Sequence, residues 1–442
     1  ATTDIYTLSL HDALPILMHE EELFLATEGE GGNMTGQNVL DATPAELAGL
    51  AFHCPCGHQH AVDIQTVQTR VNISGEIVAF AAAHHHGAKI VIVSDTNTAL
   101  AQGDALEAAF TEAGRSVLRH TFITEKGHFL VPDEVAIGSL LTALPRDTGL
   151  VVAVGSGTIN DICRFVSDRM KIPYVIACTA PSVDGYASTV SPLILAGHKT
   201  TLEACYPAGV FADPEVLCMA PATLLQAGFG DLLGKITALA DWELARRLLG
   251  EYHCPLIEGM VRKALAASTA QAAGVAARDT DACTALYDAL LLSGLAMGMV
   301  GNSRPASGAE HHLAHYWEMD ALAKGLPHAL HGNAVGAATP VIARLYALMA
   351  DWLPEGFEVP DADAIRALLA QAGSATSPKA LGISRELFHR SILEAMHVRP
   401  RFTILRFASE HGRLEKVAAQ LTEEFYDAEP VDATHHLQTA SH

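Results

Sequence analysis

The chain has 442 residues, 49% of them hydrophobic, a mean hydropathy of +0.21 and a formal net charge of −22. It is too long for one core and too apolar for disorder, so two domains are expected. The acidity excludes nucleic acid and anionic membrane surfaces as partners, and leaves any anionic ligand to a local cluster of cations or helix N-termini.

Residues 1–18 (ATTDIYTLSLHDALPILM) fit nothing downstream and read as a non-native leader ahead of Met18; no secretory signal is evident. Residues 19–48 are acidic with glycines, and a weak helix starts near Pro44. The cluster His53-Cys54-Pro55-Cys56-Gly57-His58-Gln59-His60 reads as a surface hairpin turn in preference to a small zinc site, because structural zinc sites usually separate their cysteines by two or more residues. The eight cysteines are mostly isolated in apolar surroundings, which suits reduced, buried thiols in a cytoplasm in preference to a disulfide framework.

From residue 73 an α/β alternation begins. Helices are expected at 76–86, 104–113 and 133–144, and strands at 89–94, 116–123 and 150–154. This pattern predicts a Rossmann-like parallel sheet with helices on both faces, and ligands binding beyond the strands' carboxyl ends. Three strand ends stand out. Asp95 is placed to accept hydrogen bonds from a ribose. Gly155-Ser156-Gly157-Thr158-Ile159-Asn160-Asp161 leads straight into a helix over 159–167, whose amides suit a pyrophosphate, although tight strand-to-helix turns also carry glycine without any ligand. After a strand at 174–178, Thr179-Ala180-Pro181-Ser182-Val183-Asp184-Gly185-Tyr186-Ala187-Ser188 concentrates hydroxyls where a structural turn needs only Asp-Gly. Lys199 follows on a hairpin and reads as a solvated lysine in preference to a phosphate ligand.

Near residue 219 alanine- and leucine-rich helices take over, at about 221–248, 255–273, 280–300, 305–323, 331–350, 361–371, 384–395 and 411–425. The predicted organisation is therefore an NAD-binding α/β domain at 19–218, an all-helical metal- and substrate-binding domain at 219–426 and a polar mobile tail at 427–442. The apolar run near 286–300 is too short to span a membrane.

The helical part holds the residues that suggest metal chemistry. Asp231 lies inside the apolar Gly228-Phe229-Gly230-Asp231-Leu232-Leu233-Gly234-Lys235, and histidines cluster in Ser303–His315 and Pro327–Asn333. We read Asp231, His311 and His331 as closing on one divalent metal; a carboxylate and two imidazoles leave a position open and suit zinc, iron, nickel or cobalt better than magnesium. His315, four residues after His311, shares its helix face and is placed to reach substrate. Among 23 histidines some clustering arises by chance, and a lone histidine is more often a core residue. His312 reads as surface or packing.

Taken together, the phrases TAPSVDGYAS, GFGDLLGK and SRPASGAEH resemble the sn-glycerol-1-phosphate dehydrogenases of the bacterial AraM-like type, within the iron-containing alcohol dehydrogenase and dehydroquinate synthase-like superfamily. The resemblance covers about residues 50–426. It implies NAD (or NADP) contacts from Asp95, from Gly157, Thr158, Ile159, Asn160 and Asp161, from Thr179, Ala180, Pro181 and Ser182, and from Ser188. It implies substrate contacts from Asp184, Asp231 and His315, a metal (zinc or nickel, with iron third) on Asp231, His311 and His331, and a homodimer or higher homo-oligomer. The activity it implies is reduction of dihydroxyacetone phosphate to sn-glycerol 1-phosphate; a polyol dehydrogenase on unphosphorylated glycerol and a dehydroquinate synthase-like lyase are the rivals. Iron-dependent relatives often carry histidine four residues after the aspartate. Here that residue is Lys235, free to pair with a carboxylate or to neutralise substrate phosphate. Arg304 and Lys199 are further phosphate candidates, and Arg399 and Arg401 are read first as a salt-bridged pair.

Overall fold

The computed structural model describes residues 36–85, 87–124 and 129–427; the leader at 1–18 and the tail beyond Asp427 lie outside them. A hairpin of β1 (Ala51–His53) and β2 (Gln59–Ala61) precedes a six-stranded sheet. That sheet contains β3 (Thr66–Thr69), β4 (Lys89–Asp95), β5 (Val117–Phe122), β6 (Thr148–Gly155), β7 (Tyr174–Cys178) and β10 (Gly209–Ala212), with a second hairpin, β8 (Val190–Leu195) and β9 (His198–Glu203), inserted before β10. The sheet order is β3-β10-β7-β6-β4-β5 and every pairing is parallel.

Its strands are apolar on both faces because both are covered. Ile90, Ile92, Leu150, Val152, Val154, Val175 and Phe211 pack against Ile77 and Phe80 of the Ser74–His84 helix and Leu106 and Phe110 of the Asp104–Glu112 helix. Val91, Val93, Val151, Ala153 and Ile176 alternate with these, so they point to the other face, and they too are buried. The chain leaves β4 towards β5 on one side, then returns to β6 and proceeds to β7 and β10 on the other. The direction therefore reverses between β4 and β6, the place where open α/β sheets bind ligands.

After β10 every described element is helical. The core helices are Ala222–Leu249, Thr280–Val300, Ala309–Ala323 and His331–Leu348. Thr280–Val300 is, by length and composition, long and apolar enough to cross a bilayer, contrary to the expectation that this run is too short; 61% of its most apolar window is buried among its neighbours. The predicted 255–273 helix divides into Pro255–Thr269 and Ala272–Ala277, and an unpredicted helix, Ile404–Glu410, precedes Leu414–Thr422.

The first hairpin forms as expected, with Pro55, Gly57, His58 and Gln59 of its turn exposed, but its other face is enclosed. Phe52, Cys54 and His60 are buried, with His60 only 1% exposed. Of the two readings of His312, surface or packing, it is the second: the ring is fully buried, and neither nitrogen has a hydrogen-bond partner among the described residues.

Candidate metal and dinucleotide site

The site is assembled where backbones touch. A Cβ on Gly230 would lie 2.3 Å from the Gly332 carbonyl oxygen and 3.1 Å from Gly336 Cα, so Ala222–Leu249 crosses His331–Leu348 with no side chain between them. Similarly, a Cβ on Gly228 would sit 1.8 Å from the Pro181 oxygen, which seats the Thr179–Ser188 loop on the same helix. Only glycine permits both approaches. Asp231, between these contacts, faces His331 from the crossing helix and His311 from Ala309–Ala323.

One ligand atom from each of Asp231, His311 and His331 lies within 4.8 Å of the other two. His311 Nε2 is 3.6 Å from Asp231 Oδ1, and the His311 and His331 ring centroids are 5.3 Å apart. Asp231 is 1% exposed. Burial opposes its charge, but Lys235, His311 and His331 hold its carboxyl far below the usual carboxylate range. His331 Nδ1 is buried without a partner among the described residues. His311 Nδ1–H donates to Glu310 at 2.7 Å, a bond that orients the ring with Nε2 facing Asp231. A carboxylate oxygen and two imidazoles converging at a largely buried point fit a divalent cation.

His331 belongs to a second possible triad with His315 and Glu318. There, Lys199 Nζ already pairs with Glu318 at 2.5 Å, so the carboxylate is neutralised by an ammonium. The first triad therefore suits a metal better. His315 stacks on His331 at 5.0 Å, and burial and Lys199 push its pKa down to about 3, so it is neutral. Arg399 Nη2 donates to its Nε2 at 3.2 Å.

Lys235 is wholly buried and bridges Asp231 Oδ1 and Asp184 Oδ2, each at 2.7 Å. It acts as the counter-ion of two carboxylates, which removes it from the phosphate candidates. The other two preferred candidates fall likewise: Arg304 pairs with Glu251, and Lys199 with Glu318. Arg399 and Arg401, expected as a salt-bridged pair, make no salt bridge among the described residues; burial lowers both, Arg401 to about 10. Asp184 also accepts from Ser293 Oγ at 3.1 Å, and its backbone N–H donates to Asp231 Oδ2 at 3.1 Å.

The three strand ends singled out by sequence are adjacent in the sheet, at β4, β6 and β7. Gly157 opens the Gly157–Met170 helix, and the Ser156 side chain does not cap it, so the first amides stay available to an anion. A Cβ on Gly155 would meet Ile159 Cβ at 2.6 Å. Asn160 and Asp161 turn inward: Asn160 bonds Tyr174 and Gly185, and Asp161 pairs with the buried Arg164. Arg164 in turn donates to the Tyr186 and Val190 carbonyls, holding the loop that carries Ser188. Thr179 N–H donates to the Gly155 carbonyl at 3.0 Å, joining that loop to the glycine turn. Asp95 caps its own turn, accepting from the amides of Asn97 and Thr98 at 2.8 Å.

Sequence reasoning missed Glu310, Asp241 and Ser293. Glu310 is fully buried and also accepts from Gly308 N–H and Thr237. Asp241 accepts from Ala309 N–H, Ile404 N–H and Tyr346 OH, pinning the start of the helix that bears His311. Asp241 carried a signal, a carboxylate after the largely apolar 236–240 run; Glu310 among histidines and Ser293 in its apolar helix carried none as clear.

Residues 69–221 match the family of iron-containing alcohol dehydrogenases. Over 410 residues the chain is 35% identical to a glycerol-1-phosphate dehydrogenase (NAD(P)+) of Geobacillus thermodenitrificans, covering 84% of this chain and 98% of that one. Over 403 residues it is 36% identical to the enzyme of the same name from Geobacillus stearothermophilus, covering 84% and 99%. Among solved structures, sulfoacetaldehyde reductase from Bifidobacterium kashiwanohense in complex with NAD+ superposes with a TM-score of 0.62 at 17% identity, over 82% of this chain and 98% of that chain; at that identity the likeness is one of fold.

Proposed function

The chain belongs to the glycerol-1-phosphate dehydrogenase family, and on that premise we propose that it reduces dihydroxyacetone phosphate to sn-glycerol 1-phosphate, and runs the reverse, with NAD(P)H and one divalent metal. The observation that carries this reading is the convergence of Asp231, His311 and His331 at the foot of the loop that also touches the glycine turn.

A zinc or nickel ion held by these three residues would supply Lewis-acid polarisation of the substrate ketone, and the nicotinamide the hydride. The protein's own contributions are separable. Glu310 sets the His311 tautomer, and Lys235 keeps two buried carboxylates from repelling each other. The uncapped amides at Gly157–Ile159 would bind the dinucleotide pyrophosphate, with Asp95 at the neighbouring strand end towards the ribose. Arg399, half-buried and without a carboxylate partner among the described residues, would take the substrate phosphate beside His315. Asp184, whose carboxyl is pushed up by burial and by Asp231, or His315 would carry the proton that the product oxygen takes up.

Arg399 is what favours a phosphorylated triose over free glycerol or dihydroxyacetone. The test is NADH oxidation by the metal-loaded protein with dihydroxyacetone phosphate and with dihydroxyacetone. Turnover of the phosphate ester, lost with bound metal in His311→Ala, is expected. Equal turnover of both ketones would select the polyol reading, and no net NADH consumption the lyase reading.

A further inference from the structure

The hairpin and the helical part meet at a cluster unrelated to the site above. Cys54 and Cys56 lie in the β1–β2 turn, His60 on β2, and Cys254 at the N-cap of the Pro255–Thr269 helix. One ligand atom from each lies within 4.8 Å of the other three. Cys54 Sγ and Cys254 Sγ are 3.6 Å apart, Cys56 Sγ and His60 Nε2 3.4 Å, and Cys254 Sγ and His60 Nε2 3.5 Å. A tetrahedron with zinc–sulfur bonds of ~2.3 Å and a zinc–nitrogen bond of ~2.05 Å has sulfur–sulfur edges of ~3.8 Å and sulfur–nitrogen edges of ~3.5 Å. Three of the six separations match those edges to within about 0.2 Å, and the other three lie within 4.8 Å.

The imidazole is already set for coordination. His60 Nδ1 lies 2.7 Å from the Met299 carbonyl, which accepts only from a protonated nitrogen. That bond leaves the Nε2 lone pair facing Cys56 and Cys254. The Tyr252 hydroxyl, 3.3 Å from Cys56 Sγ, is positioned to donate to a thiolate there. The short Cys-Pro-Cys spacing argued against a site in the sequence, but the third sulfur arrives from Cys254, far along the chain, and the turn supplies the rest. Gly57 takes φ +89°, and Cys54 N–H bonds the His58 carbonyl at 2.9 Å, which gathers Cys54, Cys56 and His60 on one side.

We propose that Cys54, Cys56, His60 and Cys254 form a second metal site, a closed zinc site of three thiolates and one imidazole. With four protein ligands and no open position, its role is structural. It fastens the first hairpin to the Pro255–Thr269 helix and, through Met299, to the end of the Thr280–Val300 helix. A disulfide between Cys54 and Cys254 would need ~2.05 Å between sulfurs and would give no reason for Cys56 and His60 to converge on the same point.

The test uses the full chain, purified with reductant but without chelator, and quantifies metal per chain; it is then stripped and reloaded with cobalt(II). Two equivalents are expected, together with a sulfur-to-cobalt charge-transfer band in the near ultraviolet and intense visible bands of tetrahedral cobalt. Cys254→Ser, and separately Cys56→Ser at the half-buried position, should lose one equivalent and those bands. His311→Ala should lose the other equivalent and keep the bands, so failure of this site and failure of the catalytic reading give different results. The proposal is overturned if the wild-type chain gives no sulfur band with cobalt, if His311→Ala removes all bound metal, or if peptide mapping finds Cys54 joined to Cys254.

Discussion

Arg399, which bonds His315 and makes no salt bridge among the described residues, is a guanidinium with a use for an anion. Replacing it with alanine should raise KM for dihydroxyacetone phosphate and lower kcat/KM ~10–100-fold, the loss of one hydrogen bond to a charged group, while unphosphorylated dihydroxyacetone should be affected little; a steady-state comparison of the two ketones reads the difference. His312 makes a separate prediction about stability. Burial, reinforced by Arg401 and Arg399, pushes its pKa down to about 3, against an unfolded value of ~6.5. Between those values the unfolded chain binds a proton that the folded chain refuses, so stability is full above pH ~6.5 and falls as pH drops. From pH 6.5 to 5 this one ring should cost about 1.6 kcal/mol, and urea unfolding of His312→Gln at the two pH values should lack that increment. The burial of His312 was invisible in the sequence because its neighbours Glu310, His311 and His315 are polar too. Only the folded helix shows that all four are enclosed.

At the level of elements, glycines on Ala222–Leu249 set the spacing of the metal triad. An alanine at Gly230 must push against backbone on the facing helix, not against a side chain that can rotate away. Gly230→Ala should therefore destabilise the fold by roughly 1–3 kcal/mol and weaken metal binding by spreading Asp231 from His331. Gly138→Ala is the control: this glycine lies within the Glu134–Ala143 helix with nothing within 4 Å of the added carbon, and the change should stabilise by ~0.5–1 kcal/mol. Calorimetry with and without added zinc separates the two effects. The GFGDLLGK phrase was legible as important, but its glycines were not legible as a helix crossing, since that needs the partner backbone. Short strands were hidden for a related reason. Thr66–Thr69 and Gly209–Ala212 have four residues each, too few for periodicity to show, and they become strands through their parallel neighbours. Long helices and buried strands such as Lys89–Asp95, with strong patterns of their own, were readable almost to their ends.

Across the whole molecule, one loop joins the two halves of the chemistry. It leaves β7 with Thr179 bonded to the Gly155 carbonyl, rests Pro181 on Gly228, and delivers the Asp184 amide to Asp231. Its far side is held by Arg164 from the helix that begins at the glycine turn. A cation on Asp231 fixes the acceptor of the Asp184 amide, and a dinucleotide on the glycine turn fixes the carbonyl that Thr179 bonds; each ligand orders the segment that the other must use. The two should therefore bind with positive coupling, in the usual range of ~1–3 kcal/mol, or ~5–150-fold. NADH titrated by its fluorescence into metal-stripped protein should bind at least ~5-fold more weakly than into zinc-loaded protein, and zinc affinity should rise by the same factor at saturating NADH. Asp184→Asn preserves the loop backbone and its amide, so it should keep the coupling; Gly228→Ala, which lifts the loop from the helix, should abolish it. Identical NADH affinities with and without zinc would mean that the loop is rigid before either ligand arrives, and that the metal and nucleotide halves of the site are energetically independent.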